Sequence, residues 1–186
     1  MANAVRAWTL EELHRLPDDG NKYELVFGEL FVTPAPSVTH EMIAARLSRI
    51  LDPFVAAHGL GMVFRPRAVM RHDGSEVEPD LMVRKEGFGD DDAAWDRLPL
   101  PILVVEIIAP TTRRRDNINK RQLYTEARVA EYWIVDGYAH AVRVVRPDGF
   151  DGVVSDTLVW SPVETDASLS FDLGQVFAGI PEEDQS

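Results

Sequence analysis

The chain has 186 residues, of which 45% are hydrophobic and 27% are charged. This length and apolar content suit one folded core, so we expect a single domain over residues 1–186. The net charge of −12 argues against indiscriminate nucleic-acid binding, because every phosphate would approach through a repulsive field. No cysteine is present, which excludes disulfides and thiolate metal sites.

From the N-terminal sequence and the lengths of the apolar runs, we expect neither a secretion signal nor a membrane span. The N-terminal sequence MANAVRAWTLEELHRL lacks the apolar core of a signal peptide, and no apolar run reaches membrane-spanning length. These patterns predict a cytoplasmic protein with no membrane partner. The polar, acidic end PEEDQS, residues 181–186, is expected to be flexible.

The first third of the chain predicts a short helix, a hairpin and a long helix. TLEELHRLP begins with Thr9, a good helix cap. YELVFGELFV predicts an N-terminal β-hairpin that turns at Phe27 and Gly28. Ser37 is placed to cap the long helix, which His58-Gly59 ends. Four apolar residues recur along that helix at helical spacing: Ile43, Leu47, Ile50 and Phe54.

The rest of the chain alternates between strands and helices. GMVFRPRAVMR predicts one strand and DLMVR another, and the polar KEGFGDDDAAWDRLPLP predicts a mobile loop. ILVVEII predicts a central strand covered on both faces, because it is a continuous β-branched run. A helix from Asp116 to Arg128, strands in EYWIVD and HAVRVVRP, an outer strand in GVVSDTLVWSP and a short closing helix follow. We therefore predict an α/β fold with a mixed central sheet flanked by helices.

An acidic residue interrupts the predicted central strand. Because side chains alternate along a strand, Glu106 shares a face with Val104 and Ile108 and points between the sheet and its helices. An ionised carboxylate there is costly unless it is paired or metal-bound. Asp80 opens the strand DLMVR directly after Pro79, which marks the first position of a strand. Two carboxylates at strand ends could converge on one divalent cation.

The helix after the central strand supplies a basic group. Asp116, Lys120 and Tyr124 follow one another at four-residue spacing and share a face. This face can lie over the strand end because the connecting APTTRRR is short. Lys120 could then orient an attacking hydroxide and stabilise charge on a phosphate. A structural role is equally open, in which Glu106 forms a salt bridge to Lys120 or to the arginines 113–115.

These residues resemble a known family. PD followed by a strand and then E-x-I resembles the PD-(D/E)xK phosphodiesterase motif, with Ile108 in the usual place of the lysine. The wider pattern, YELVFGEL…SVTH…EPDLMV…LVVEIIAPTTRRRDNINKRQLYTEARVAEYWIVD, is similar to the Uma family of restriction-endonuclease-like proteins over residues 23–136. The chain departs from the family at Phe27, where aspartate is usual, and at APTT, where Ser-Pro-Ser-Thr is commoner; neither change removes a proposed ligand.

The resemblance implies a restriction-endonuclease-like fold with Asp80 and Glu106 as metal ligands. It also implies that the function of the motif's lysine has moved to Lys120 on the following helix. Residues at recurrent polar positions of the family, together with an aromatic residue on the helix face, are secondary candidates: His40, Glu29 and Tyr124.

We therefore predict an endonuclease that depends on Mg²⁺ or Mn²⁺ and hydrolyses phosphodiester bonds in DNA. Asp80, Glu106 and the backbone carbonyl of Ile107 would hold the ion, while Lys120 positions the water. A homodimer is expected, since two cuts in duplex DNA suit two-fold symmetry. The alternative is a catalytically inert, nuclease-derived binding or assembly module, which the acidic charge favours. A two-carboxylate glycosidase is disfavoured, because no aromatic sugar platform is evident.

Overall fold

The computed structural model describes residues 6–87, 91, 94–108 and 115–181, with the backbone alone for residues 115–117. The flexible tail predicted at 181–186 lies outside this part from residue 182 onward, as does part of the predicted loop after residue 84. The helices are α1 (Leu10–Leu13), α2 (Val38–Ala57), α3 (Ala94–Arg97), α4 (Arg115–Glu126) and α5 (Gly174–Phe177). The strands are β1 (Lys22–Val26), β2 (Glu29–Thr33), β3 (Met62–Phe64), β4 (Met70–His72), β5 (Ser75–Val77), β6 (Leu81–Arg84), β7 (Leu103–Ile108), β8 (Glu131–Asp136), β9 (Ala141–Val145), β10 (Asp151–Val154), β11 (Thr157–Trp160) and β12 (Leu169–Asp172).

A six-stranded sheet forms the centre of the fold. Its strand order is β10-β9-β8-β7-β6-β3. Strands β7 and β8 are parallel and α4 lies between them in the chain, whereas the other neighbouring pairs are antiparallel. The predicted mixed central sheet flanked by helices is confirmed. Among the described helices, none combines the length and the apolarity that crossing a bilayer requires.

The two faces of β7 belong to two different hydrophobic cores. Leu103, Val105 and Ile107 pack in the first core, which α2 and the C-terminal segment cover. Val104 lies in the second core, between the central sheet, α4 and the N-terminal sheet. Because side chains alternate along the strand, Glu106 faces this second layer, as the sequence predicts.

Helix α2 is the long helix predicted after the hairpin. It begins at Val38 because the side chain of Ser37 accepts a hydrogen bond from the backbone N–H of His40 at 3.2 Å. Its buried stripe differs slightly from the predicted one. Ile43 and Leu47 are buried, Ile50 and Phe54 are only half-buried, and the stripe continues through Leu51 and Val55.

The predicted N-terminal hairpin is confirmed and belongs to a second sheet. Strands β1 and β2 pair in the order β2-β1-β5-β4. The turn between them has φ of 50° at Phe27 and 78° at Gly28. Two consecutive positive φ values are typical of the tight turns that match the twist of a hairpin. A side chain at Gly28 would also meet Ala7, whose Cβ would lie 2.9 Å from an added Cβ.

Two strand predictions were wrong. The stretch GMVFRPRAVMR is two strands, with β3 in the central sheet and β4 in the N-terminal sheet. The break falls at the turn around Pro66, which has no N–H to donate to a sheet. At the C-terminus the single outer strand predicted from GVVSDTLVWSP is β10 and β11, and β11 pairs with β12 in a separate two-stranded sheet.

Replacement of Leu47 by alanine tests whether α2 is anchored by its buried stripe. Leu47 is fully buried in the first core, so Leu47→Ala should lower the free energy of unfolding by about 2–5 kcal/mol. Val163→Ala, at a side chain that is 86% exposed, should change it by less than about 0.5 kcal/mol. Urea denaturation followed by circular dichroism measures both. Equal small effects would contradict the packing described for α2.

Candidate active site

The two acids predicted as metal ligands lie side by side on neighbouring strands. Leu81 of β6 pairs with Val105 of β7 in antiparallel register. Continuing this register by one residue places Asp80 opposite Glu106, and directly opposite side chains share one face of a sheet. Both residues are buried, and both line a cleft of about 650 Å³. The sequence predicted this convergence.

Asp80 is held by three groups. Its Oδ2 accepts a hydrogen bond from the backbone N–H of Ile107 at 2.8 Å and lies 3.0 Å from Nε2 of His40. Its Oδ1 lies 3.4 Å from Nζ of Lys22. Burial alone would raise the pKa of Asp80, but Lys22, His40 and the Ile107 N–H outweigh it and hold that pKa far below its usual range. Asp80 is therefore an ionised carboxylate.

The backbone of Ile107 faces the same place as Asp80. In an extended strand the N–H and C=O of one residue point to the same side. Since the N–H of Ile107 reaches Asp80, its carbonyl also points to that side, beyond the end of β6. The carbonyl of Ile107 therefore lies on the edge of β7 that faces Asp80.

Glu106 is bound by two donors from α4. Its Oε1 accepts hydrogen bonds from Nζ of Lys120 at 2.9 Å and from Oη of Tyr124 at 2.6 Å. Burial raises the pKa of Glu106, while the neighbouring Lys120 and Lys22 counteract that rise. The pKa of Tyr124 is raised well above 10.0 by burial and by the charge of Glu106, so its hydroxyl remains a donor.

Lys120 connects two acids. Its Nζ lies 2.9 Å from Oε1 of Glu106 and 2.8 Å from Oε2 of Glu24. Burial alone would lower the pKa of Lys120, but the charges of Glu106 and Glu24 raise it well above 10.5. The side chain therefore stays protonated near neutral pH. It can donate hydrogen bonds and neutralise negative charge, but it cannot accept a proton as a general base.

Two residues of β1 complete the cluster and were not among the predicted site residues. Glu24 Oε1 accepts a hydrogen bond from the N–H of Glu78 at 2.9 Å, besides its contact with Lys120. Lys22 donates to the carbonyl of Glu78 at 3.1 Å and contacts Asp80. The signal was present in the sequence, since Lys22 and Glu24 alternate onto the same strand face as the buried Val26.

The secondary candidates fall in different places. His40 and Tyr124 contact the two acids directly. Glu29 accepts a hydrogen bond from Nδ2 of Asn119 at 3.1 Å and is not one of the residues that line the cleft. The side chains of Asp116 and of residues 113–115 lie outside the described residues.

The donor set of this site can be compared with the needs of a metal ion. Within the described residues, Oε2 of Glu106 accepts no hydrogen bond, and no group of three or more His, Asp or Glu side chains is arranged to hold a metal. A metal would therefore find two carboxylates, from Asp80 and Glu106, and one backbone carbonyl. Mg²⁺ takes one or two carboxylates and keeps several waters, so this set fits Mg²⁺.

Removal of the Lys120 charge tests the buried network. Lys120→Met leaves Glu24 and Glu106 buried without their shared cation, so the free energy of unfolding should fall by about 3–5 kcal/mol. Adding Glu24→Gln to that variant should restore part of the loss, because one charge fewer is buried. Arg121→Met is the control on the same helix, because its ion pair with Asp151 is partly exposed and should cost less than about 1 kcal/mol. Urea denaturation of the parent and the three variants measures these changes, and equal costs for Lys120→Met and Arg121→Met would contradict the network.

The pairing of His40 with Asp80 should make stability depend on pH. Burial opposes the charged form of His40, but Asp80 raises the pKa of His40 above 6.5. A raised folded-state pKa stabilises the fold below pH 6.5, and this contribution is lost as pH rises through the folded-state value. His40→Gln should therefore reduce the free energy of unfolding more at acidic pH than at alkaline pH. Urea denaturation at a series of acidic to alkaline pH values measures this change in the free energy of unfolding. His72→Gln, outside the cleft, is the control. If the change caused by His40→Gln did not depend on pH, the pairing would be contradicted.

Comparison with known proteins places the chain in a family. A solved structure of similar fold is described as "a putative nuclease belonging to DUF820" from Anabaena variabilis. The two sequences are 20% identical, and the alignment covers 91% of this chain and 97% of the other chain, with a TM-score of 0.71. At this identity the similarity shows a shared fold alone. No curated protein matches the chain. The sequence model described as "Uma2: Putative restriction endonuclease" matches residues 10–178. The predicted resemblance is thereby confirmed, and the chain belongs to the Uma2 family of putative restriction endonucleases.

Proposed function

We propose that this protein is an endonuclease that depends on Mg²⁺ or Mn²⁺ and hydrolyses phosphodiester bonds in DNA. The observation that carries the proposal is the juxtaposition of Asp80 and Glu106 on neighbouring strands, with protonated Lys120 at 2.9 Å from Glu106, in a cleft open to a substrate. Membership of a family described as restriction endonucleases supports a nuclease in general. The metal and the DNA substrate are the parts that we add.

The metal ligands in this proposal are Asp80, Glu106 and the backbone carbonyl of Ile107. A divalent ion held there would lower the pKa of a bound water and draw off negative charge from a phosphate oxygen. The remaining positions around the ion would be taken by water and by the substrate.

Two side chains and one backbone N–H act on the acids rather than on the substrate. His40 and the N–H of Ile107 fix Asp80 through Oδ2. Tyr124 fixes Glu106 through Oε1, which leaves Oε2 without a hydrogen bond among the described residues. We assign positioning roles to His40 and Tyr124, because each holds a ligand carboxylate in one orientation.

Lys120 is the cationic group of the proposed mechanism. Because it stays protonated, it would donate a hydrogen bond to the attacking water or to the scissile phosphate and would stabilise the charge that develops there. Lys120 is already bound to Glu106 and Glu24, so its position is set before any substrate arrives. A preorganised charge costs no rearrangement during the reaction.

A second candidate function follows from the completeness of the ion network. Asp80 contacts Lys22, while Glu24 and Glu106 share Lys120, so each of these acids already has a cation. Together with the net charge of −12, this pairing favours a catalytically inert binding or assembly module.

The sequence also predicts a single domain, a homodimer and a cytoplasmic location, and all three stay predictions.

Cleavage of plasmid DNA and of short oligonucleotides with Mn²⁺ or Mg²⁺ tests the proposal. The parent protein should cut, Asp80→Asn and Glu106→Gln should lose cleavage, and Lys120→Ala should lower turnover by about 100-fold or more. Asp166→Asn, at an exposed acid that does not line the cleft, is the matched control and should leave cleavage intact. Cleavage by the Asp80→Asn protein would refute the assigned site.

Thermal unfolding with and without the metal separates the two functions. A metal present at a hundredfold excess over its Kd should stabilise the parent by about 2.7 kcal/mol, and Lys120→Ala should keep much of this gain. Asp80→Asn should lose it, because one of the two carboxylate ligands is gone. A parent protein that neither cuts nor gains stability from Mn²⁺ is the inert module.

A further inference from the structure

The cleft continues past the acids into a pocket whose role the proposed hydrolysis does not explain. We call this part the side pocket. Part of its lining is small or apolar and comes from the segment before α2, from α2 itself and from the turn after β3: Pro34, Pro36, Ala44, Ala45, Ser48 and Pro66. Two further acids, Glu41 and Glu78, line the same cleft, so the small and apolar walls form only part of it.

One face of α2 connects the two ends of the cleft. His40, Ala44 and Ser48 follow at four-residue intervals, so they lie in a row along the helix. Eight residues of helix span about 12 Å. His40 contacts Asp80 at one end of this row, and Ser48 lies at the other. A molecule with its phosphate at Asp80 and Glu106 would have to extend about 12 Å along α2 to reach Ser48.

Ser48 carries a buried hydroxyl without a hydrogen-bond partner within the described part of the chain, which suits a ligand that has hydrogen-bonding atoms. The residue is only 4% exposed, and its hydroxyl has no hydrogen-bond partner within the described part of the chain. A helical serine commonly donates to the carbonyl four residues earlier, but this one does not. Buried hydroxyls are almost always paired in native proteins, so the unpaired hydroxyl of a residue that lines the cleft leaves a place for a partner, either a ligand atom or a water.

Two arginines stand at the rim of the side pocket. Arg67 pairs with Asp18 at 3.2 Å, and Arg65 pairs with Asp52. All four side chains are close to half exposed or more, so these ion pairs are weak and can be exchanged for other anions. Arginine binds phosphate well through its planar guanidinium group. Arg65 and Arg67 are therefore the side chains at which a phosphate could replace an aspartate.

We propose that the side pocket binds one unpaired nucleobase of the nucleic-acid substrate next to the scissile phosphate, so that the protein acts on single-stranded or locally opened DNA. The proposal rests on the proposed function and names its substrate class. A base has two apolar faces for the proline and alanine walls, an edge for the Ser48 hydroxyl and a neighbouring phosphate for Arg65 or Arg67. The cleft volume of about 650 Å³ lies in the range of small-ligand pockets, and a base in a duplex would have to leave its stack to enter.

Binding of fluorescein-labelled oligonucleotides in Ca²⁺, with a gel check that the strands stay intact, tests the pocket separately from cleavage. The parent should bind a single strand about tenfold more tightly than the matching duplex. Ala45→Trp fills the side pocket and should weaken single-strand binding about tenfold, whereas Ala56→Trp, at an exposed alanine of the same helix outside the cleft, should not. Ser48→Ala should weaken it about fivefold while the melting temperature is kept or raised, because an unpaired buried hydroxyl is removed.

Three outcomes would overturn the pocket. In the first, the parent binds the duplex more tightly than the single strand. In the second, Ala45→Trp weakens the binding of single strand and of duplex equally. In the third, neither Ala45→Trp nor Ser48→Ala changes the binding of the single strand. The test separates this proposal from the hydrolysis. If Mn²⁺ supports no cleavage but single-strand binding still depends on Ala45 and Ser48, the pocket stands and hydrolysis fails. If cleavage occurs and binding ignores both residues, hydrolysis stands and the pocket fails.

Discussion

The buried contact of Lys120 with Glu106 and Glu24 is the interaction on which the site depends. It joins three parts of the fold, because Lys120 lies on α4, Glu106 on the central sheet and Glu24 on the N-terminal sheet. Removing such charges from water is expensive, and well-packed hydrophobic residues often serve stability as well or better. The network is therefore better explained by what its charges can do in the cleft than by the stability that they provide.

The same network gives the two neighbouring acids different properties. Asp80 is held ionised by Lys22, His40 and a backbone N–H, whereas burial raises the pKa of Glu106. One carboxylate is thus fixed as an anion, and the other has an affinity for protons that depends on the cation beside it. A divalent ion bound beside both acids would lower the pKa of Glu106 and favour its ionised form. It would change the protonation of Asp80 less, because Asp80 is already ionised.

Helix α2 serves the core and the cleft with different faces. Ile43 and Leu47 are buried against the central sheet, and the residues one position later, Ala44 and Ser48, line the cleft. The packing that fixes the helix therefore also fixes His40 against Asp80 and sets the width of the side pocket. Small residues on the cleft face leave space that a larger side chain would fill. This links the stability of the first core to the shape of the cleft.

The sequence by itself determined the local features. Alternation along β7 predicted which face holds Glu106, and helical spacing placed Lys120 over that strand, because both patterns follow from backbone geometry alone. Only the tertiary structure decided that the strand face shared by Lys22 and Glu24 meets Asp80, Glu106 and Lys120, and that GMVFRPRAVMR divides between two sheets. Those outcomes depend on how β1 meets β5 and how β3 meets β6, strands that lie far apart in the chain. Local periodicity shows which face of a strand is buried, but the partner on that face is chosen by the packing of the whole chain.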